Sequence, residues 1–167
     1  MRKWKELAHF VYGQGFWYAD PVGEVEGLSE EDLFWTQDPN GMCILWHIGH
    51  IAHRERIHIG VFLQGLGPSI IPAGFDVFGP EWHSTEEVRQ SIGSVQEVFD
   101  WVREVRSKSR EYIDSVTEED LQAVPQKSHG GLPASHWLFL TPVHGGVHIG
   151  RIQMMRAQLE GKRDRAC

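Results

Sequence analysis

The chain has 167 residues, 41% of them hydrophobic and 23% charged, with a formal net charge of −7 at pH 7. That size and balance suit one globular domain, residues 1–167, with a sizeable core. The acidic balance and the lack of a basic patch exclude a nucleic-acid surface as the expected partner.

Two cysteines, Cys43 and Cys167, form no CxxC pair and suggest no disulfide framework, so a cytoplasmic location is expected. The start, MRKWKELAHF, has no apolar stretch after it of the kind a signal peptide carries. No apolar run approaches the roughly 18 residues a membrane span needs, so no membrane partner is expected.

Helical periodicity predicts a first segment from about Lys3 to Val25, with Trp4, Leu7, Phe10, Val11, Phe16 and Trp17 on its apolar side and Pro21 interrupting it. Ser29 with Asp32 three residues later reads as the cap of a short helix, and TQDPNG as a turn. A second long segment runs from about Met42 to Leu66. Residues 65–83 then form a loop rich in Gly and Pro, either covering a site or wrapping the surface. A short strand within SIIPAGFDVF would not make a sheet.

A third long segment opens at Ser84, which has capping-box spacing to Glu87, and continues to Val116. Its stripe is Val95, Val98, Phe99, Val102, Val105 and Ile113. Thr117 repeats the cap pattern. The last helix is expected from about Ser135 to Leu159, with a fraying tail. The fold class is therefore all-α: a four-helix bundle with short extra helices and one long loop after helix 2.

Ten histidines are many for this length. His144 and His148 lie one helical turn apart, so both imidazoles share a face. The apolar rhythm of that segment is Val147, Ile152, Met155 and Leu159, and the stripe through Ile152, Met155 and Leu159 turns the pair inward. Buried imidazoles need polar partners. Either they bind a transition metal, or they form a hydrogen-bonded core cluster.

A further ligand would come from the second segment, which carries His47, His50, His53 and His58. Its main apolar face is Ile44, Ile48, Ala52, Ile59 and Phe62. His50 falls on a second stripe with Trp46, Ile57 and Val61, and His47 lies between the two. Periodicity does not choose between them. Glu55, on the main face, would orient a ligand imidazole or pair with Arg54, Arg56 or Arg151. Gly145, Gly146 and Gly150 each weaken the last helix by about 1 kcal/mol relative to alanine. They make room around a metal and its ligand, or serve a tight helix crossing.

GLSEEDLFW and ILWHIGHIAHRER, followed near the end by HGGVHIGRIQMMR, resemble the DinB/YfiT-like superfamily. Its helix-two pattern H-[IL]-A-x-x-E falls on His50-Ile51-Ala52-His53-Arg54-Glu55. Its last-helix pattern H-x-x-x-H-x-G-Q-[IL] falls on His144, His148, Gly150 and Ile152. The resemblance thus implies a metal held by His50, His144 and His148, zinc or nickel by ligand type. It implies a metal-dependent enzyme, a thiol-dependent S-transferase or a hydrolase, with a low-molecular-weight thiol as one small-molecule partner, and a homodimer. Arg151 replaces the family's glutamine, which adds a cation suited to an anionic substrate. Glu55 and Arg151 are the nearest candidates for auxiliary catalytic roles. The alternative is a non-catalytic bundle, a stress or interaction protein, with a structural or adventitious metal.

Overall fold

The structure is a computed structural model and describes residues 2–13 and 20–166. Seven α-helices and no strand occur among the described residues. The helices are α1 (Arg2–Val11), α2 (Glu30–Leu33), α3 (Ile44–Glu55), α4 (Thr85–Ser91), α5 (Val95–Ser115), α6 (Glu118–Gln122) and α7 (Ala134–Ala166). The bundle is built from α1, α3, α5 and α7. No helix among the described residues is long and apolar enough to cross a membrane.

The caps behave as their side chains dictate. Ser29, Ser84 and Thr117 each accept from the backbone N–H three residues on. The carboxylates of Asp32, Glu87 and Asp120 answer each cap's own N–H, completing three capping boxes.

Three boundaries differ from the sequence expectation. The first helix stops at Val11, because Gly13 takes a left-handed φ of 95° that ends the helical path; Phe16 and Trp17 lie outside the described residues. The third segment is two helices. Ile92 is extended, Gly93 follows it, and Ser94 caps α5 afresh by accepting from the N–H of Glu97. The last helix continues to Ala166, through the tail expected to fray. Within the loop, SIIPAGFDVF holds 3-10 turns at Pro68–Ile70 and Phe75–Phe78 and no strand.

Helix α3 is buried on every side from Ile44 to His53, so both of its stripes face protein. At Arg56 it widens into a π-helix that runs to Leu63. Its antiparallel partner is α7: His47 meets His148 at one end, and His58 meets Thr141 at the other.

Pro142 sits inside α7 and has no N–H to give the carbonyl of Leu138, four residues back. The fully buried Tyr12, just past α1, supplies the missing donor: its hydroxyl lies 3.0 Å from that carbonyl oxygen.

The apolar interior forms two clusters. One gathers Ile44, Ile48, Phe78, Trp101, Val102 and Ile152. The other gathers Tyr12, Ile59, Ile113, Trp137 and Leu138. Between them lies a buried polar layer that includes His50, Glu55, His58, Arg106, Ser109, Thr141 and His148. The candidate site belongs to that layer.

Candidate metal centre

Helical spacing and the antiparallel packing of α3 on α7 bring three imidazoles together. One ligating nitrogen each from His50, His144 and His148 lie within 4.8 Å of one another, a cluster that can hold a metal ion. The ring centroids are 4.6 Å apart for His50–His148 and His144–His148, and 5.1 Å for His50–His144. His50 and His148 are buried and His144 half-buried, so the cluster opens to solvent past His144.

The His50 ring is held at one face and at Nδ1. Trp46 stacks on it with centroids 4.3 Å apart and an interplanar angle of 19°. The indole N–H of Trp46 donates to the carbonyl of Val77 at 2.9 Å. The Nδ1 of His50 lies 2.8 Å from the carbonyl oxygen of Phe78 and 3.1 Å from that of Gly79. Carbonyls only accept, so Nδ1 carries the proton and the lone pair sits on Nε2.

Gly49 is what allows this approach. A Cβ at that position would stand 2.4 Å from the Phe78 ring. The Gly- and Pro-rich loop that follows α3 and its π-helical continuation therefore supports the site through the turn at 75–79.

His148 is oriented similarly, its Nδ1 lying 2.9 Å from the Nδ1 of His47. His47 thus stands beside the cluster as the neighbour of a member. One turn past His144, His58 Nδ1 meets the Thr141 hydroxyl at 3.0 Å, and that hydroxyl donates to the carbonyl of Trp137 at 2.7 Å.

Burial keeps these rings neutral. It pushes His47 and His50 down to about 4, with Arg151 adding to the effect on His47. His148 is pushed down to about 3, by burial first and then by His50 and His144. His144 is lowered by burial and by the nearby Arg54 and Arg151. Neutral imidazole is the form that binds a metal, and three such donors suit a divalent transition-metal ion.

Two arginines flank the cluster. Arg54 follows His50 by one turn of α3 and lies 3.4 Å from His58 Nε2. Arg151 follows His148 by three residues on α7 and is exposed.

Glu55 is placed differently from the expectation. Its carboxylate is 1% exposed and meets Arg106 of α5 at 3.2 Å, in place of Arg54, Arg56 or Arg151. Carbonyls, not Glu55, orient the His50 imidazole. Arg106 was missed because nothing local in the sequence links positions 55 and 106.

The glycines of α7 also serve another face. A Cβ at Gly146 or Gly150 would meet nothing within 4 Å, and one at Gly145 would meet Ile51 and Arg106 at ordinary contact distance. All three line a cavity toward α1, and no histidine of the cluster is among its lining. Val147 is exposed as well, since it lies about 140° around the helix from Ile152.

Residues 20–152 match the sequence pattern of the DinB superfamily, a span that contains all three clustered histidines. No curated protein matches the chain.

Proposed function

The chain belongs to the DinB superfamily, and from that membership and the three-imidazole cluster we propose that it is a cytoplasmic, single-domain metal-dependent enzyme. The reading assigns His50, His144 and His148 as ligands of one divalent ion, zinc or nickel. The reaction class is thiol-dependent S-transfer or hydrolysis, and the protein works as a homodimer.

The observation that carries the proposal is the cluster itself: three ligating nitrogens within 4.8 Å of one another, on rings held by contacts that leave Nε2 of His50 free. Three protein ligands leave a coordination position open, which distinguishes a catalytic from a structural site. The Nδ1 contact between His47 and His148 uses the imidazole best placed to close the set, which favours the enzyme over the non-catalytic bundle.

A bound divalent ion supplies Lewis acidity, polarising an oxygen or lowering the pKa of a water or thiol. The chain's own groups do the rest. The Phe78 and Gly79 carbonyls hold the proton of His50 on Nδ1 and so fix its ring. His47 accepts the Nδ1 proton of His148 when Nε2 of that ring is a ligand. Trp46 covers one side of the cluster and keeps water from it. Arg54 and Arg151 present positive charge on the histidine-bearing faces, which suits a substrate with an anionic group.

Elemental analysis of untagged protein tests the assignment. One equivalent of a transition metal is expected, lost in the His144→Ala, His148→Ala double variant with helicity retained. Unchanged stoichiometry would overturn it. A screen of several low-molecular-weight thiols with electrophiles then tests the reaction class, where turnover should require the metal.

A further inference from the structure

Two arginines reach the buried polar layer, and only one of them has a countercharge. Arg106 of α5 is 8% exposed and meets the Glu55 carboxylate at 3.2 Å. Arg54 of α3 is half-buried and forms no ion pair among the described residues. Burial lowers the pKa of its guanidinium, with no carboxylate to offset the effect. Taking a charge partly out of water is costly unless a partner meets it, so Arg54 stands ready for an anion from outside the chain.

What Arg54 does have is an orienting contact, whose direction follows from its neighbours. The Thr141 hydroxyl donates to the carbonyl of Trp137 at 2.7 Å, so its oxygen accepts from the Nδ1–H of His58 at 3.0 Å. A neutral ring with its proton on Nδ1 has its lone pair on Nε2. Burial keeps His58 neutral, its pKa pushed down to about 3. Nε2 therefore accepts from Nη2 of Arg54, at 3.4 Å. That contact uses one N–H of a rigid fork and leaves the others for a planar acceptor.

The charge lies at the mouth of the cluster. Among neighbouring charges, Arg54 lowers His144 most, and it acts on His50 as well. His144 is the half-buried member, past which the cluster opens to solvent. The three clustered imidazoles bring no negative charge of their own. We propose that Arg54 is the anchor for a carboxylate on the small molecule that reacts at the histidine cluster, taking its two oxygens with N–H groups side by side. His58, Thr141 and the Trp137 carbonyl hold the guanidinium in position for it. The inference rests on the site proposed above and names the class of its substrate. One half-buried cation matches the single charge of a carboxylate better than a phosphate dianion.

NMR of the arginine Nε–H signals tests the proposal, with propionate, its neutral isostere propionamide and inorganic phosphate titrated into the full-length protein as isolated and again after chelation of metal. Propionate should shift the Arg54 signal saturably in both forms and bind about tenfold tighter than propionamide, the margin a hydrogen bond between charged groups brings. Arg54→Gln should erase that margin while the melting temperature holds or rises, because an unpaired charge is removed. His58→Phe should weaken propionate binding several-fold with Arg54 still present. An unmoved Arg54 signal, equal affinity for propionate and propionamide, or a margin kept in Arg54→Gln would overturn the proposal. Tighter binding of phosphate would overturn the carboxylate class, and undiminished binding in His58→Phe the orienting chain. The chelated arm separates this inference from the metal. Propionate bound at Arg54 in a protein that takes up no metal would refute the metal centre and keep the anchor, and a metal-loaded protein that ignores propionate would do the reverse.

Discussion

Helix α7 has two faces that share a backbone and little else. Toward α3 it presents His144 and His148, packed against His50, His47 and Trp46, with polar atoms directed at named partners. Toward α1 it presents Gly146, Gly150 and open space. The first face has the features of a preorganised site, its rings fixed by contacts from α3 and the 75–79 turn. The second has those of a container, defined by what is absent. Adjacent residues in HGGVHIGR therefore serve different regions: the glycines that stand among the histidines line the cavity on the α1 side.

The most direct way to break the comparison is to remove histidines from the crowded face. His144→Ala with His148→Ala should abolish stoichiometric metal by elemental analysis, whereas Gly150→Ala on the open face should leave it unchanged. A finer test addresses the supports. His47→Ala, or Gly49→Ala, which forces Phe78 away from α3, should weaken metal affinity by about 10- to 100-fold while the three rings remain. Competition with a chelator of known affinity measures this, and an unchanged constant would show that these contacts do not position the ligands.

Tyr12→Phe probes the strut between α1 and α7. It strands the Leu138 carbonyl and should cost about 1–3 kcal/mol in urea denaturation. The cost should shrink in a Pro142→Ala background, where a backbone N–H is restored, and a constant cost would refute the pairing.

Acid should affect the crowded face selectively. Burial, aided by Arg54, pushes His58 down to about 3 and His53 to about 4. The unfolded chain takes up these protons first, near the ordinary value of about 6.5. Stability of the metal-free protein is therefore fully present above that pH and lost as pH falls toward 3, at up to about 1.4 kcal/mol per pH unit for each such ring. Urea midpoints between pH 7 and pH 4 would show it, and a flat profile would contradict it. The smallest effect belongs to the open face: Gly150→Ala should raise stability by about 0.5–1 kcal/mol.

Much of this was legible from local pattern. The caps at Ser29, Ser84 and Thr117 follow from spacing, because a cap is an interaction over three residues. The inward pair His144 and His148 follows from one helical turn. His50 is different. Periodicity left it beside His47, and only the family resemblance selected it, because the choice depends on how α3 is rotated against α7.

The partners that settle the site lie far along the chain. The Phe78 and Gly79 carbonyls carry no side-chain signature, and Arg106 meets Glu55 across more than fifty positions. Two signals were available and went unread. Gly49, between Ile48 and His50 in a helix, marked a close approach, and Pro142, within a helix, marked a carbonyl in need of a donor.

The buried polar layer between the two apolar clusters has a consequence for how the molecule comes apart. A hydrocarbon interior resists opening everywhere at once, but here the interior is divided by a fault line of imidazoles, a guanidinium and a carboxylate. Amide hydrogen exchange on the metal-free chain should find two protected blocks that yield at different denaturant concentrations. A cation bound by α3 and α7 at that boundary would rivet them into one.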